Sequence, residues 1–260
     1  MLTAVVYGVL TSSSFVIGVL IAMVFRPPRR LIAAVLAFGS GVLVSALTFD
    51  LMEEASATGS TAFVVVGFLV GAAIYVAMST LLDRLAARSP KRSGRQPQDL
   101  EPGAEHVPET TQQATLSGTA LLIGAILDGI PENAAIGIGL SHEAGGLGLV
   151  LLAAVFLGNL PESVSSTAGI LDEGRSRSYI ILVWSLAAIG CVLATVAGYA
   201  LLGGLSANLV SAVLALAAGG ILAMLADTMM PEAFENGGPL VAMATAVGFV
   251  CAILLTQLTG

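Results

Sequence analysis

The sequence predicts an all-helical membrane protein, built as a polytopic bundle of eight transmembrane helices. Of its 260 residues, 56% are hydrophobic and only 10% are charged, and the mean hydropathy is +0.94. A soluble domain carries about 25% charged residues, so this composition excludes an ordinary soluble protein. We therefore expect one transmembrane domain over residues 1–260, integral to the cell membrane (plasma or inner) as a multi-pass protein.

Eight apolar segments are long enough to cross a bilayer, which takes about 20 residues. Most are separated by clear polar breaks, and the sixth and seventh are separated only by a short glycine and serine stretch. The predicted spans are Thr3–Phe25, Leu31–Asp50, Thr61–Leu82, Thr115–Leu140, Gly146–Ile170, Tyr179–Gly203, Leu205–Met229 and Pro239–Thr259.

The positive charges support this topology. All ten Lys and Arg residues fall in the first, third and fifth connections between the spans. Odd-numbered connections lie on one side of the membrane, and the positive-inside rule makes that side the cytoplasm. Both termini are then predicted to lie outside.

Two further features concern connections and packing. Residues 84–114, between the third and fourth spans, are rich in Arg, Ser, Pro, Gln and Glu, which predicts a disordered cytoplasmic loop. Gly67 and Gly71 form a Gly-x-x-x-Gly pattern that permits close helix approach. We expect it to serve packing inside the bundle, and a homodimer stays open.

Two Pro-Glu pairs lie inside apolar spans and are the strongest functional feature. In the fourth span, Asp128 and Glu132 are four residues apart and share a helical face next to Pro131. In the fifth span, Asn159 and Glu162 share a face next to Pro161. Each proline also removes the donor to a backbone carbonyl one turn earlier.

If these faces meet, they offer three carboxylates, one amide and loosened carbonyls. Clustered carboxylates repel one another, and a divalent cation removes that repulsion. The alternative at this point is a structural polar cluster or a proton relay. Intramembrane acids are functional in most cases, which favours a site.

A third Pro-Glu pair ends the seventh span, where Asp227 precedes Glu232 near the predicted cytoplasmic face. Asp50 ends the second span at the predicted outer face, followed by Glu53 and Glu54. Acids at both mouths and at the midplane would concentrate cations along a route. We therefore include Asp227 and Glu232 with Asp128, Glu132, Asn159 and Glu162 as candidate metal-binding residues.

These motifs resemble those of the ZIP (Zrt/Irt-like) family of divalent metal transporters. The family's fourth span carries a His-Asn-x-Pro-Glu-Gly type motif, where this chain has residues 128–133, Asp-Gly-Ile-Pro-Glu-Asn. The fifth span carries a similar Pro-Glu motif, matched by residues 158–163, Gly-Asn-Leu-Pro-Glu-Ser. The family's seventh span often ends in His-Glu-x-x-Pro-Glu, matched by residues 227–232 with Asp227 in place of the His.

The resemblance implies eight spans, outside termini and a metal cargo that moves toward the cytoplasm. It makes Glu132 and Glu162 metal ligands, with Asp128 in the place of a ligating His and Asn159 in the place of an acidic or amide ligand. Gly129 and Gly158 stand where ligands are usual. The result is a diverged member with one oxygen-only site, which weakens the case for zinc and strengthens that for manganese or ferrous iron, with the choice among the three metals open.

The predicted function is therefore transport of a divalent metal ion through a midplane carboxylate site. The expected partners are the metal ion and membrane lipid, with no nucleic acid, no further cofactor and no enzymatic activity. Two alternatives stay open. One is a proton-linked carrier of a small solute, and the other is a non-transporting metal-sensing membrane protein.

Overall fold

The computed structural model describes residues 1–25, 27–88, 118–141, 147–202 and 205–259. The side chains of a few residues within these ranges, among them Asp128, also lie outside the description. All regular structure in the described ranges is helical, which confirms the predicted class. Helices are expected because a long apolar segment in lipid must satisfy every backbone polar group internally.

Eight long helices coincide with the eight predicted segments. Three helices, α2, α3 and α7, continue well past the predicted ends at Asp50, Leu82 and Met229. The helices are α1 (Leu2–Val24), α2 (Arg29–Thr58), α3 (Thr61–Arg88), α4 (Gly118–Ser141), α5 (Leu147–Asp172), α6 (Arg177–Leu202), α7 (Ala207–Gly237) and α8 (Val241–Thr259).

Six of these helices are long and apolar enough to cross a membrane: α1, α2, α3, α4, α6 and α7. The apolar stretch of α8 is shorter, Val241–Gln257. The structure thus supports a helical membrane bundle, while eight spans and outside termini stay predictions.

Both α2 and α7 contain a π-helical turn in their second half. In α2 the turn covers Ala46–Leu51, and in α7 it covers Leu225–Met229. Each turn carries one aspartate, Asp50 and Asp227 respectively. Such turns re-aim side chains and are frequent at functional sites.

Close backbone contacts at glycines join several pairs of helices. Gly67 and Gly71 on α3 lie directly against the backbone carbonyls of Ala212 and Leu216 on α7. This confirms that the Gly-x-x-x-Gly pattern serves packing inside the bundle. Close glycine contacts of the same kind join α4 to α6 and α2 to α8, and in each case a larger side chain would push the backbones apart.

The helices differ in how deeply they are buried. In α2 and α4, 61% and 62% of the apolar stretch is buried, against 17% in α3. The helices α2 and α4 therefore form the centre of the bundle, and α3 has a largely lipid-facing surface. The helix α1 packs against both α5 and α6, and this position makes it important for the site.

Connections on the predicted cytoplasmic side are short where they are described. The α5–α6 turn contains Gly174 at φ 78° and the α7–α8 turn contains Gly238 at φ 71°, a conformation that glycine adopts without strain. The predicted disordered loop begins inside α3, because that helix runs to Arg88. The remainder of that loop, residues 89–114, lies outside the described residues.

Candidate functional site

The first Pro-Glu pair lies in the interior of α4. The helix continues through Pro131, as membrane helices allow when neighbours cover the freed backbone groups. Glu132 is 1% exposed and Asn133 is fully buried. The missing proline N–H leaves the carbonyl of Leu127 without its helical donor.

One stripe of α4 faces α1 and α6. Gly129 lies against Phe15 and Cys191, and Gly137 lies against the carbonyl of Thr195. Asn133 is midway between these glycines on the same face. Glu132 is rotated by about 100° from Asn133 around the helix axis. Glu132 is buried, and α4 packs against α5 and α7 as well as against α1 and α6.

The second Pro-Glu pair lies at the centre of a polar stripe on α5. Asn159, Ser163 and Ser166 are buried, and Glu162 between them is half-buried. Their spacing of three, four and seven residues puts them on one face. The Nδ2 of Asn159 has no hydrogen-bond partner among the described residues. A side-chain amide whose nitrogen is not held by a hydrogen bond can rotate and present its oxygen to a cation.

The carbonyl freed by Pro161 is that of Leu157. It lies at the contact with α2, where a Cβ added to Gly39 would be 2.8 Å from the Leu157 oxygen. This carbonyl therefore faces a glycine of α2, a contact that cannot be predicted from the sequence.

The helix α1 places the two Pro-Glu pairs at nearly the same depth. The hydroxyl of Thr11 donates to the Asn133 Oδ1 at 2.6 Å, and the hydroxyl of Ser163 approaches the carbonyl of Ser14 at 3.4 Å. Thr11 and Ser14 are about 4.5 Å apart along α1. Because Asn133 and Ser163 each directly follow their glutamate, Glu132 and Glu162 lie within about one helical turn in depth.

Glu232, from the third Pro-Glu pair, contacts α5 beside this polar stripe. The hydroxyl of Ser165 donates to its Oε1 at 2.9 Å, and Glu232 is half-buried. Ser165 is about 4.5 Å further along α5 than Glu162. The carboxylate of Glu232 therefore lies one turn from the second Pro-Glu pair.

Asp227 is directed elsewhere. Its side chain is exposed, and its Oδ2 accepts a hydrogen bond from Ser79 of α3 at 2.8 Å. The adjacent Thr228 hydroxyl is 2.7 Å from that of Tyr75, also on α3. Among the candidate residues, Asp227 is thus separated from the α4–α5 group and serves the α3–α7 contact.

Asp50 differs from a solvated helix-end acid. It is 7% exposed, and its Oδ2 has no hydrogen-bond partner among the described residues. The buried hydroxyl of Ser45, one π turn earlier, has none there either. The physical reason is that α2 continues to Thr58, so Asp50 lies inside the bundle.

The predicted cluster of three carboxylates includes Asp128, whose side chain lies outside the described part. Within that part, no group of three or more His, Cys, Asp or Glu side chains could hold a metal ion. The predicted three-carboxylate cluster therefore stays a prediction. The described oxygen atoms come from Glu132, Asn159 and Glu162 together with serine and threonine hydroxyls, the hard donors that divalent cations with oxygen preference take.

Several buried hydroxyl residues in the bundle were not predicted from the sequence. Thr11, Ser12 and Ser14 on α1 are buried, as are Thr167 on α5 and Thr195 on α6. The run of four hydroxyl residues at positions 11–14 inside an apolar span was the available signal.

No protein-family model matches the chain, and no curated protein sequence matches it. The resemblance to the ZIP family therefore rests on the motifs alone.

Proposed function

We propose that this chain is an integral membrane transporter that moves a divalent metal cation toward the cytoplasm. Its central site would combine Glu132, Asn159 and Glu162 with Asp128. One observation carries the proposal. Asn133 and Ser163, the buried residues that directly follow the two Pro-Glu pairs, contact α1 within one helical turn of each other.

The charge balance supports a cation at this position. An ionised carboxylate inside a membrane costs about 3 kcal/mol or more. The chain's ten Lys and Arg residues all fall in the predicted connections between the spans. A bound divalent cation would supply positive charge beside the carboxylates of the spans.

The chemistry of the donors favours a hard or borderline ion. Carboxylate, amide and hydroxyl oxygens suit manganese and ferrous iron better than zinc, which prefers nitrogen and sulfur. A membrane potential, negative inside, would draw a divalent cation inward with about 4.6 kcal/mol per 100 mV. The proposed setting is the cell membrane, with both termini outside.

Two further carboxylates support a route through the protein. Asp50 is buried seven residues beyond Leu43, the residue of α2 that contacts Gly158 next to Asn159. That separation is about 10 Å along the helix. On the other side, Glu232 contacts α5 one turn beyond Glu162. A cation would thus meet acids before, at and after the central site.

The test is metal uptake into proteoliposomes that contain the purified full-length protein. Manganese, ferrous iron and zinc are offered separately, with a potential negative inside. Glu132→Gln and Glu162→Gln keep side-chain volume and remove the charge. We expect uptake by each variant to fall to the level of empty liposomes. The matched control is Glu173→Gln, because Glu173 is exposed after the end of α5.

The outcomes separate the alternatives. Wild-type uptake in both variants would contradict the proposal. Proton movement coupled to a small solute, without metal dependence, would favour the proton-linked carrier. Metal binding by the purified protein without any flux would favour the sensor. Elution of each variant as a monodisperse protein in detergent confirms that it has folded.

A further inference from the structure

Asn133 is a fully buried polar side chain whose amide nitrogen and oxygen both have hydrogen-bond partners. Its Nδ2 donates to the carbonyl of Gly129 at 2.8 Å. Its Oδ1 accepts from the Thr11 hydroxyl at 2.6 Å and lies 3.2 Å from the Thr195 hydroxyl. Asn133, Thr11 and Thr195 are all fully buried. One amide thus links α1, α4 and α6.

These bonds leave Asn133 little capacity to bind a metal ion. A carbonyl only accepts, so the amide nitrogen must face Gly129 and the amide oxygen must face the hydroxyls. The oxygen has two lone pairs, and the two threonine hydroxyls are placed to occupy both. Asn133 therefore acts on its surroundings through its own hydrogen bonds.

The location of this amide gives the bonds a mechanical consequence. Asn133 follows Glu132 directly and comes two residues after Pro131, where the helix lacks a backbone hydrogen bond. A helix weakened at this point is free to bend or rotate. A bond from Asn133 to α1 opposes that rotation and so fixes the direction of the neighbouring Glu132 carboxylate.

We infer that Asn133, held by the hydroxyl of Thr11, is a positioning residue that orients Glu132 toward the metal ion. This inference rests on the proposed transport function. It assigns Asn133 a role different from that of a ligand, and it gives Thr11, on the first helix, a part in metal affinity.

The two threonines, Thr11 and Thr195, are expected to differ in the strength of their hydrogen bonds to Asn133. The hydroxyl proton of Thr195 has a competing acceptor, the carbonyl of Cys191, at 3.1 Å. For Thr11 the competing carbonyls of Tyr7 and Gly8 are at 3.0 and 3.1 Å, longer than its 2.6 Å contact with Asn133. A hydroxyl has one proton to donate, and the shortest contact is the best acceptor for it. For Thr11 that acceptor is Asn133, whereas Thr195 is about equally close to the carbonyl of Cys191. Thr11 therefore makes the stronger bond to Asn133.

The experiment compares Thr11→Val, which removes the hydroxyl at nearly constant volume, with Thr11→Ser, which keeps it. Manganese uptake is measured over a range of concentrations in proteoliposomes. We expect Thr11→Val to raise KM about three- to tenfold, the effect of one buried hydrogen bond. Thr11→Ser should have a KM close to that of the wild type. A role in folding alone would lower the maximal rate and leave KM unchanged.

The control is Thr245→Val on α8, where the hydroxyl bonds the carbonyl of Val241 in its own helix at 3.2 Å and no other described residue. Thr195→Val should raise KM by less than Thr11→Val, and it also decides the question if Thr11→Val fails to fold. An unchanged KM in both Thr11→Val and Thr195→Val would overturn the positioning role of Asn133. Equal defects in Thr11→Val and Thr11→Ser would do so as well. If the wild type itself shows no uptake, the proposed function fails first.

Discussion

The two Pro-Glu pairs are alike in sequence but are attached to the bundle differently. In both, the residue after the glutamate contacts α1. Asn133 receives a 2.6 Å hydrogen bond from the side chain of Thr11. Ser163 instead donates to the carbonyl of Leu160 in its own helix at 2.9 Å and only approaches the Ser14 carbonyl at 3.4 Å.

On α5, close packing takes the place of that bond. Gly18 of α1 lies against the Leu160 carbonyl and the Ser163 hydroxyl, with no room for a side chain. The pair on α4 is therefore positioned by a directional hydrogen bond, whereas the pair on α5 is positioned by backbone contact. Similar motifs can thus depend on different forces, and mutations can separate these forces.

The surroundings of the two pairs also differ in charge. On α5, the carboxylate of Glu232 follows Glu162 by one turn through its bond with Ser165. On α4, the next turn after Glu132 contains the buried apolar residues Ala135 and Ile136. If a cation continues beyond the central site, α5 is the helix that offers it a further oxygen.

The largest expected effect comes from Gly18→Ala. The new Cβ would lie 2.7 Å from the Leu160 carbonyl oxygen, so α1 and α5 would have to separate. We expect a loss of stability of about 1–3 kcal/mol together with reduced uptake. Thermal unfolding in detergent measures the first and proteoliposome flux the second. Gly190→Ala on α6 is the control, since no atom lies within 4 Å of its added Cβ.

If Gly18→Ala were as stable as Gly190→Ala, the distinction between packing on α5 and hydrogen bonding on α4 would not hold.

An intermediate effect is expected for Glu232→Gln. Removal of this charge beside α5 should slow metal uptake about tenfold, the lower range for charges that concentrate an ion. The effect should shrink at high salt if Glu232 acts through its field. Asp227→Asn on the same helix is the matched control, because that side chain bonds Ser79 on α3. Equal rates for the two variants would remove Glu232 from the route.

The smallest effect is expected for Ser163→Ala. Its principal hydrogen bond is to its own helix, and such back-bonding adds little to stability. We expect a change in unfolding free energy below about 0.5 kcal/mol and an unchanged KM for manganese. A defect as large as that of Thr11→Val would mean that both pairs depend on hydrogen bonds to α1.

Much of the fold was predictable because hydropathy and helix periodicity are local properties. The described segments are helical where the apolar runs predicted them, and Gly67 and Gly71 pack inside the bundle. The predicted ends of α2 and α7, at Asp50 and Met229, come earlier in the chain than the observed ends. Acidic residues usually end a span, but here a π turn carries the helix onward.

The candidate site was predictable only in part. Pro131, Glu132, Pro161 and Glu162 are visible as unusual residues inside apolar runs, and no structure is needed to find them. The side chains that contact the acidic residues cannot be identified from the sequence. Whether Ser165 meets Glu232 and Ser79 meets Asp227 depends on how each helix is rotated against its neighbours.

By itself, the sequence determined that the chain is a helical bundle rich in lipid-compatible segments and that carboxylates beside prolines interrupt two of them. Only the tertiary structure decided that Asn133 bonds Thr11, that Asp50 is buried, and that Asp227 and Glu232 face different helices. The reason is physical. Burial of apolar residues depends on composition along the chain, whereas a hydrogen bond depends on the position of two atoms that only helix packing brings together.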